Sequence, residues 1–188
     1  FDKQQVFNAS MKGARLLAQA YYITKDKKYK ILASKAVKFV VSHQKIDGSW
    51  DYSLSNSGNW IDNYHTGYVL DCLDEYQKLT GDKFFSNNIE IGYNFYKNNF
   101  TTNEGEPKFF HNKIYPIDCT SAAQTILTSV RFGDVLTAKK VAEYMILNMQ
   151  KSDGSFKFRK YRYYTIKTSF MRWSDAWMFV ALSNLKKI

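Results

Sequence analysis

Gln44-Lys45-Ile46-Asp47-Gly48-Ser49-Trp50 returns later in the chain as Gln150-Lys151-Ser152-Asp153-Gly154-Ser155-Phe156. Between them, Asn98-Asn99-Phe100-Thr101-Thr102-Asn103-Glu104-Gly105 holds the same place with weaker similarity. An interval of roughly 50 residues is the scale of stacked supersecondary units. The Asp-Gly pair needs a residue that tolerates positive φ, and the aromatic after it covers a hairpin end.

Outward from these turns the periodicity is helical. Residues 4–24 carry Val6, Ala9, Ala14, Leu17, Ala18 and Tyr21 on one stripe, and 29–44 carry Leu32, Ala36, Phe39, Val40 and His43. Further helices are predicted over 65–79, 84–100 and 118–131. A sixth carries Ala138, Val141, Ala142, Met145, Ile146 and Met149, and a last starts near Ser174-Asp175 and runs through Trp177, Phe179, Ala181 and Leu182, with Trp177 and Phe179 expected in the core. Long loops over 45–64, 101–116 and 151–173 alternate with short polar breaks such as Thr80-Gly81-Asp82 and Gly133-Asp134. The unit is helix, short turn, helix, long loop, which builds an open solenoid or a closed α/α toroid. The toroid is favoured because every long loop places its polar residues just before the next helix. The expectation is an all-α fold of about seven main helices, paired as antiparallel hairpins in a partial α/α toroid, with 1–188 a single domain.

Composition fits a packed domain: 188 residues, 45% hydrophobic, 17% aromatic, with 2 Pro and 9 Gly. No apolar run reaches the roughly 18 residues of a membrane span. The net charge of +10 comes from scattered lysines (Lys25, Lys27, Lys28, Lys30, Lys35, Lys38) that read as solvent faces. No nucleic-acid-binding signature accompanies them, so no nucleic-acid partner is expected, whereas an anionic sugar polymer suits such a surface. Cys72 and Cys119 stand alone in helices, which reads as reduced core thiols in a cytoplasmic setting, with no metal site. No cofactor is expected.

The chemistry-bearing residues cluster at three helix starts. Asn59-Trp60-Ile61-Asp62-Asn63-Tyr64-His65-Thr66-Gly67-Tyr68 puts indole, carboxylate, phenol and imidazole where helical periodicity begins. His111, Tyr115 and Asp118 precede the fifth helix, and Tyr163, Tyr164, Arg172, Trp173 and Asp175 the last. Asp62, His65, Asp118 and Tyr64 are the candidate acids and bases. Trp50, Trp60 and Trp173 are candidates to stack on sugar rings, and Arg172 to hold a carboxylate or phosphate. His111, Tyr115, Tyr164 and Asp175 complete the candidate binding set. Asp118, with Thr120 nearby, and Asp175 also read as plain N-caps.

Two resemblances rest on these residues. The Gln-x-x-Asp-Gly-Ser-Trp pattern at 44–50 resembles the hairpin motif of α/α-toroid proteins, including six-hairpin sugar-active enzymes and terpene-cyclase-like toroids. More closely, residues 60–68, Tyr115-Pro116-Ile117-Asp118 and 171–178 resemble a bacterial family of polysaccharide and O-antigen gene clusters. Its members often carry the label delta-aminolevulinic acid dehydratase, which would imply a (β/α)-barrel, and no alternation of strand and helix is present here. The resemblance covers essentially the whole chain and matches the family's C-terminal part. It implies an incomplete ring, and therefore self-association or pairing with a separate N-terminal segment.

Four functions compete on this reading. A lyase or epimerase acting on an acidic glycan needs a base, Tyr64 or His65, and a cation on the uronate carboxylate, Arg172. A glycoside hydrolase needs two carboxylates, for which Asp62 and Asp118 are the pair. A non-catalytic glycan-binding or assembly subunit would use the same groove without turnover. An isoprenoid-active toroid is weaker, since no Asp-x-Asp-Asp run is present.

Overall fold

The computed structural model describes residues 5–186 and 188, and the predicted helix start at Gln4 lies outside them. Seven α-helices follow one another: α1 (Phe7–Thr24), α2 (Lys27–Val41), α3 (Asn63–Thr80), α4 (Ser86–Phe100), α5 (Cys119–Arg131), α6 (Val135–Met149) and α7 (Trp177–Leu185). This is the mostly helical hairpin architecture that the sequence periodicity predicts. The chain forms two compact units, Phe1–Tyr96 and Lys97–Ile188, with the division inside α4.

In the first unit α1 packs on α2 and α3 around Met11, Ala14, Ala18, Val37, Leu70 and Leu73, all fully buried. Small residues on α1 let the helices approach closely. α3 starts at the Asp62 cap and ends where Gly81 (φ +69°) donates its amide to the Gln77 carbonyl. A left-handed glycine at that place is a common helix stop.

In the second unit α5 packs on α6 and α7 around Ile126, Val141, Met145, Met149 and Met178. Three two-residue strands, β1 (Ile117–Asp118), β2 (Arg159–Lys160) and β3 (Thr165–Ile166), form a small antiparallel sheet in the order β1-β2-β3. Strands so short carry no readable alternation, which is why helical periodicity alone leaves them unmarked. The last helix is entered through a π-helical segment, Met171–Ala176. Cys72 and Cys119 are buried and free, one in each unit. Burial pushes the Cys72 thiol up to about 11.

The repeated turns have one geometry. Gly48 donates to the Lys45 carbonyl and Lys45 to the Ser49 carbonyl, both at 2.9 Å. Gly154 and Lys151 repeat this at 3.0 and 2.8 Å, and Gly105 and Thr102 at 3.0 and 3.1 Å. The three glycines have φ of +92°, +88° and +85° for Gly48, Gly105 and Gly154. What presses on them differs. A Cβ on Gly48 would stand 2.5 Å from the Ile91 carbonyl oxygen, and one on Gly105 would stand 2.6 Å from that of Lys140. A Cβ on Gly154 would meet nothing within 4 Å.

Gly154→Ala therefore loses only backbone comfort, about 1–2 kcal/mol for a left-handed residue with a Cβ. Gly48→Ala adds the clash with α4, a further ~1–3 kcal/mol of overpacking. Urea unfolding of the two variants checks this, with the larger midpoint loss expected in Gly48→Ala.

Candidate functional site

In the first unit the site is built on the cap of α3. Asp62 has extended backbone and is 2% exposed, and its Oδ1 accepts the His65 amide at 2.9 Å. That is the usual bond of an N-cap aspartate. The same carboxylate also accepts from Trp60 Nε1 at 2.9 Å, and His65 Nδ1 lies 2.7 Å from its Oδ2. With an amide and an indole already donating, the carboxylate acts as acceptor toward the imidazole too. A ring proton is thereby held on Nδ1, so that in the neutral imidazole the lone pair is on Nε2. Nε2 has no hydrogen bond among the described residues, and the His65 side chain is 29% exposed.

Aromatic rings frame this imidazole. Tyr52 meets it edge-on at 4.6 Å and Tyr64 at 5.3 Å. Trp60 stacks on Tyr52 at 4.6 Å with 12° between planes and remains 37% exposed, so the pair forms a plate beside the histidine. The Tyr64 hydroxyl donates to that of Tyr68 at 3.4 Å, and Lys12 Nζ lies 4.1 Å from the Tyr68 ring centre. Burial, and then the Tyr64 hydroxyl, push the Tyr68 phenol well above its ordinary value, so it stays neutral.

In the second unit Asp118 caps α5. Its Oδ1 accepts from Thr120 N at 2.9 Å and Ser121 N at 3.1 Å, and its Oδ2 accepts from Arg159 Nε at 2.8 Å. β1 and β2 place the two residues opposite each other, Asp118 against Arg159. The guanidinium sits 4.9 Å from the Phe158 ring and 5.2 Å from Phe109, and also reaches the Tyr161 hydroxyl at 3.4 Å. Tyr161 in turn stacks on Tyr164 at 4.6 Å, with Tyr164 60% exposed. Burial pushes the Asp118 carboxyl up, against the pull of Arg159 and the two amides.

The remaining candidates fall as follows. Arg172 is exposed and has no ion pair among the described residues. Trp173 is half exposed beside Phe158 and Phe170, and its carbonyl accepts from Thr120 Oγ1 at 2.9 Å. Tyr115 packs half-buried against the second unit's core, and His111 is half-buried. Trp50 corrects the sequence reading: it is 2% exposed and donates to the Val40 carbonyl at 3.0 Å, so no sugar can stack on it. Its place after the turn glycine makes it hairpin core. Asp175 is likewise a clamp on its own loop, since its oxygens accept from Phe156 N at 2.8 Å and from Ser169 Oγ. Sequence reasoning missed Arg159 and Tyr52.

No family model and no curated protein matches this sequence. Solved structures do match in fold. Cellobiose 2-epimerase from Bacillus thermoamylovorans aligns with a TM-score of 0.75 at 12% identity, covering 100% of this chain and 60% of that one. A family 76 α-mannanase from Bacteroides thetaiotaomicron aligns at 0.72 and 16% identity, covering 100% and 55%. An unsaturated glucuronyl hydrolase specific for heparin aligns at 0.69 and 15% identity, covering 96% and 51%. Over the aligned parts this chain therefore shares the helical-hairpin fold of these α/α-toroid structures. The chain spans about half to three fifths of the length of these three structures.

Arg159→Met leaves Asp118 buried without its cation, a loss of about 3 kcal/mol for a broken buried pair. With the Arg159 pull gone, burial alone raises the folded carboxyl further. A raised folded value favours the protonated fold, so the stability gap to the parent shrinks at low pH and widens as pH rises through the carboxylate range. Urea unfolding at pH 4 and pH 7 reads both effects.

Proposed function

We propose that the first-unit site performs acid–base chemistry on a carbohydrate, of the epimerase or lyase kind, with His65 as the proton-transferring group. The observation that carries this reading is the Asp62–His65 pair. A carboxylate fixes Nδ1–H and leaves Nε2 as a lone-pair base beside the Trp60–Tyr52 plate. A positioned imidazole contributes roughly 10²–10⁴-fold to a proton transfer. The hydrolase alternative asks Asp62 or Asp118 to donate a proton to a leaving group. Each is buried and already accepts several hydrogen bonds within its own unit, which favours the histidine route.

We further propose an acidic glycan as substrate, in bacterial extracellular polysaccharide metabolism and within the cytoplasm. The net charge of +10 and a groove of about 540 Å³ on α1 and α2 of the same unit, lined by Lys27, Lys30, Lys35 and Lys38, support the acidic substrate. The resemblance of residues 60–68 to proteins of polysaccharide gene clusters supports the context, and the free cysteines a reducing compartment.

The test is incubation with uronate-containing oligosaccharides in deuterium oxide, read by mass spectrometry for exchange next to the carboxylate. Exchange is expected in the parent and at least a hundredfold less in His65→Gln. Asp62→Asn is expected to fall between them, because it loses the tautomer clamp while keeping an oxygen at the cap. Binding without exchange or turnover would assign the site to a glycan-binding subunit.

A further inference from the structure

Each hairpin-end turn in this chain is a seat, and one of the three is open. The turn at 44–50 seats α4. Gln44 and Asn88 exchange two hydrogen bonds, Gln44 Nε2 to the Asn88 carbonyl at 2.9 Å and Asn88 Nδ2 to Gln44 Oε1 at 2.8 Å. One turn further, the Ile91 carbonyl lies over Gly48, and Gly92 packs so tightly on Trp50 that a Cβ would stand 2.9 Å from the indole. The turn at Gly105 seats α6 in the same register. Ile91 and Lys140, whose carbonyls lie over the two glycines, are each the sixth residue of their helix.

The turn at 150–156 has the same internal bonds and nothing on top. Gln150 Nε2 donates to the Gly154 carbonyl at 3.0 Å, as Gln44 does to Gly48, but its carboxamide makes no second bond among the described residues. Gly154 is exposed where Gly48 and Gly105 are buried. Above the turn lies a groove of about 490 Å³, walled by Gln150, Gly154 and Phe156 on one side and by Phe179 and Leu182 of α7, with Lys186 at its C-cap, on the other. Phe179 is 72% exposed along it.

We propose that this groove is the seat of a further α-helix of α4's chemistry, supplied by a segment other than the helices described here. That helix carries a side-chain carboxamide opposite Gln150, a backbone carbonyl over Gly154 and a glycine opposite Phe156. An Asn-x-x-x-Gly run meets all three requirements. A second copy of this chain has no such helix to spare. Its two runs, Asn63 to Gly67 and Asn88 to Gly92, are already packed in the first unit, the former buried and the latter on Gln44 and Trp50.

The test titrates the full, isotope-labelled chain with a stapled synthetic peptide of residues 84–100, read by amide chemical shifts. Saturable shifts are expected at Gln150, Gly154, Phe156 and Phe179. Affinity is expected to drop at least tenfold for the peptide bearing Gly92→Leu, and equally for the chain bearing Phe179→Glu, whose exposed position leaves the fold intact. Absence of saturable shifts, shifts confined to 44–50, or an undiminished Gly92→Leu peptide would overturn the proposal. So would concentration-dependent shifts at the same four residues without peptide, which would seat a second copy there.

Discussion

The contact on which the helical stacking depends joins a left-handed glycine to a carbonyl of the helix laid over it. Two conditions meet at Gly48 and at Gly105. The backbone turns through positive φ, and a peptide oxygen approaches to where a Cβ would be. Only glycine satisfies both without strain. Because the carbonyl belongs to the sixth residue in each case, the turn sets the height of the following hairpin as well as closing its own. The aromatic or proline after the glycine then becomes interior. Trp50, Pro107 and Phe156 are all buried.

The same geometry delivers the polar residues. After each turn the chain crosses a long loop and enters a helix through an aspartate in extended conformation, Asp62 into α3 and Asp118 into α5. In both cases one oxygen accepts from helix amides and the other accepts from side chains. Asp62 holds Trp60 and the His65 ring, and Asp118 holds Arg159 across the small sheet. Both carboxylates are buried, and each orients a partner, an imidazole in the first unit and a guanidinium in the second.

Much of this was legible because it is local. The repeat at 44–50 and 150–156, the helical stripes, and the Asp62 and Asp118 caps all depend on residues within a few positions of each other. Arg159 was not legible. Its partner lies 41 positions away and meets it only because two-residue strands pair, and no periodicity announces so short a sheet. Trp50 was misread for a related reason. An indole after a turn looks available, but the helix that buries it arrives some forty residues later through Gly92. Asp175 was half read. Its place at the entry to the last helix suggested a cap, whereas its oxygens secure Phe156 and Ser169 in the loop before it.

The double use of Asp62 links stability to chemistry in a way that Arg172 escapes. The bond from the His65 amide to Asp62 starts α3, and the bond from the His65 ring to the same carboxylate fixes the tautomer. A change that moves the cap by a fraction of an ångström moves the imidazole with it, since backbone and ring of one residue grip one carboxylate. Orientation of this imidazole is therefore tied to the helix start itself. Arg172, exposed within the π-helical segment Met171–Ala176 of the second unit, carries no such constraint: no carboxylate fixes its guanidinium among the described residues.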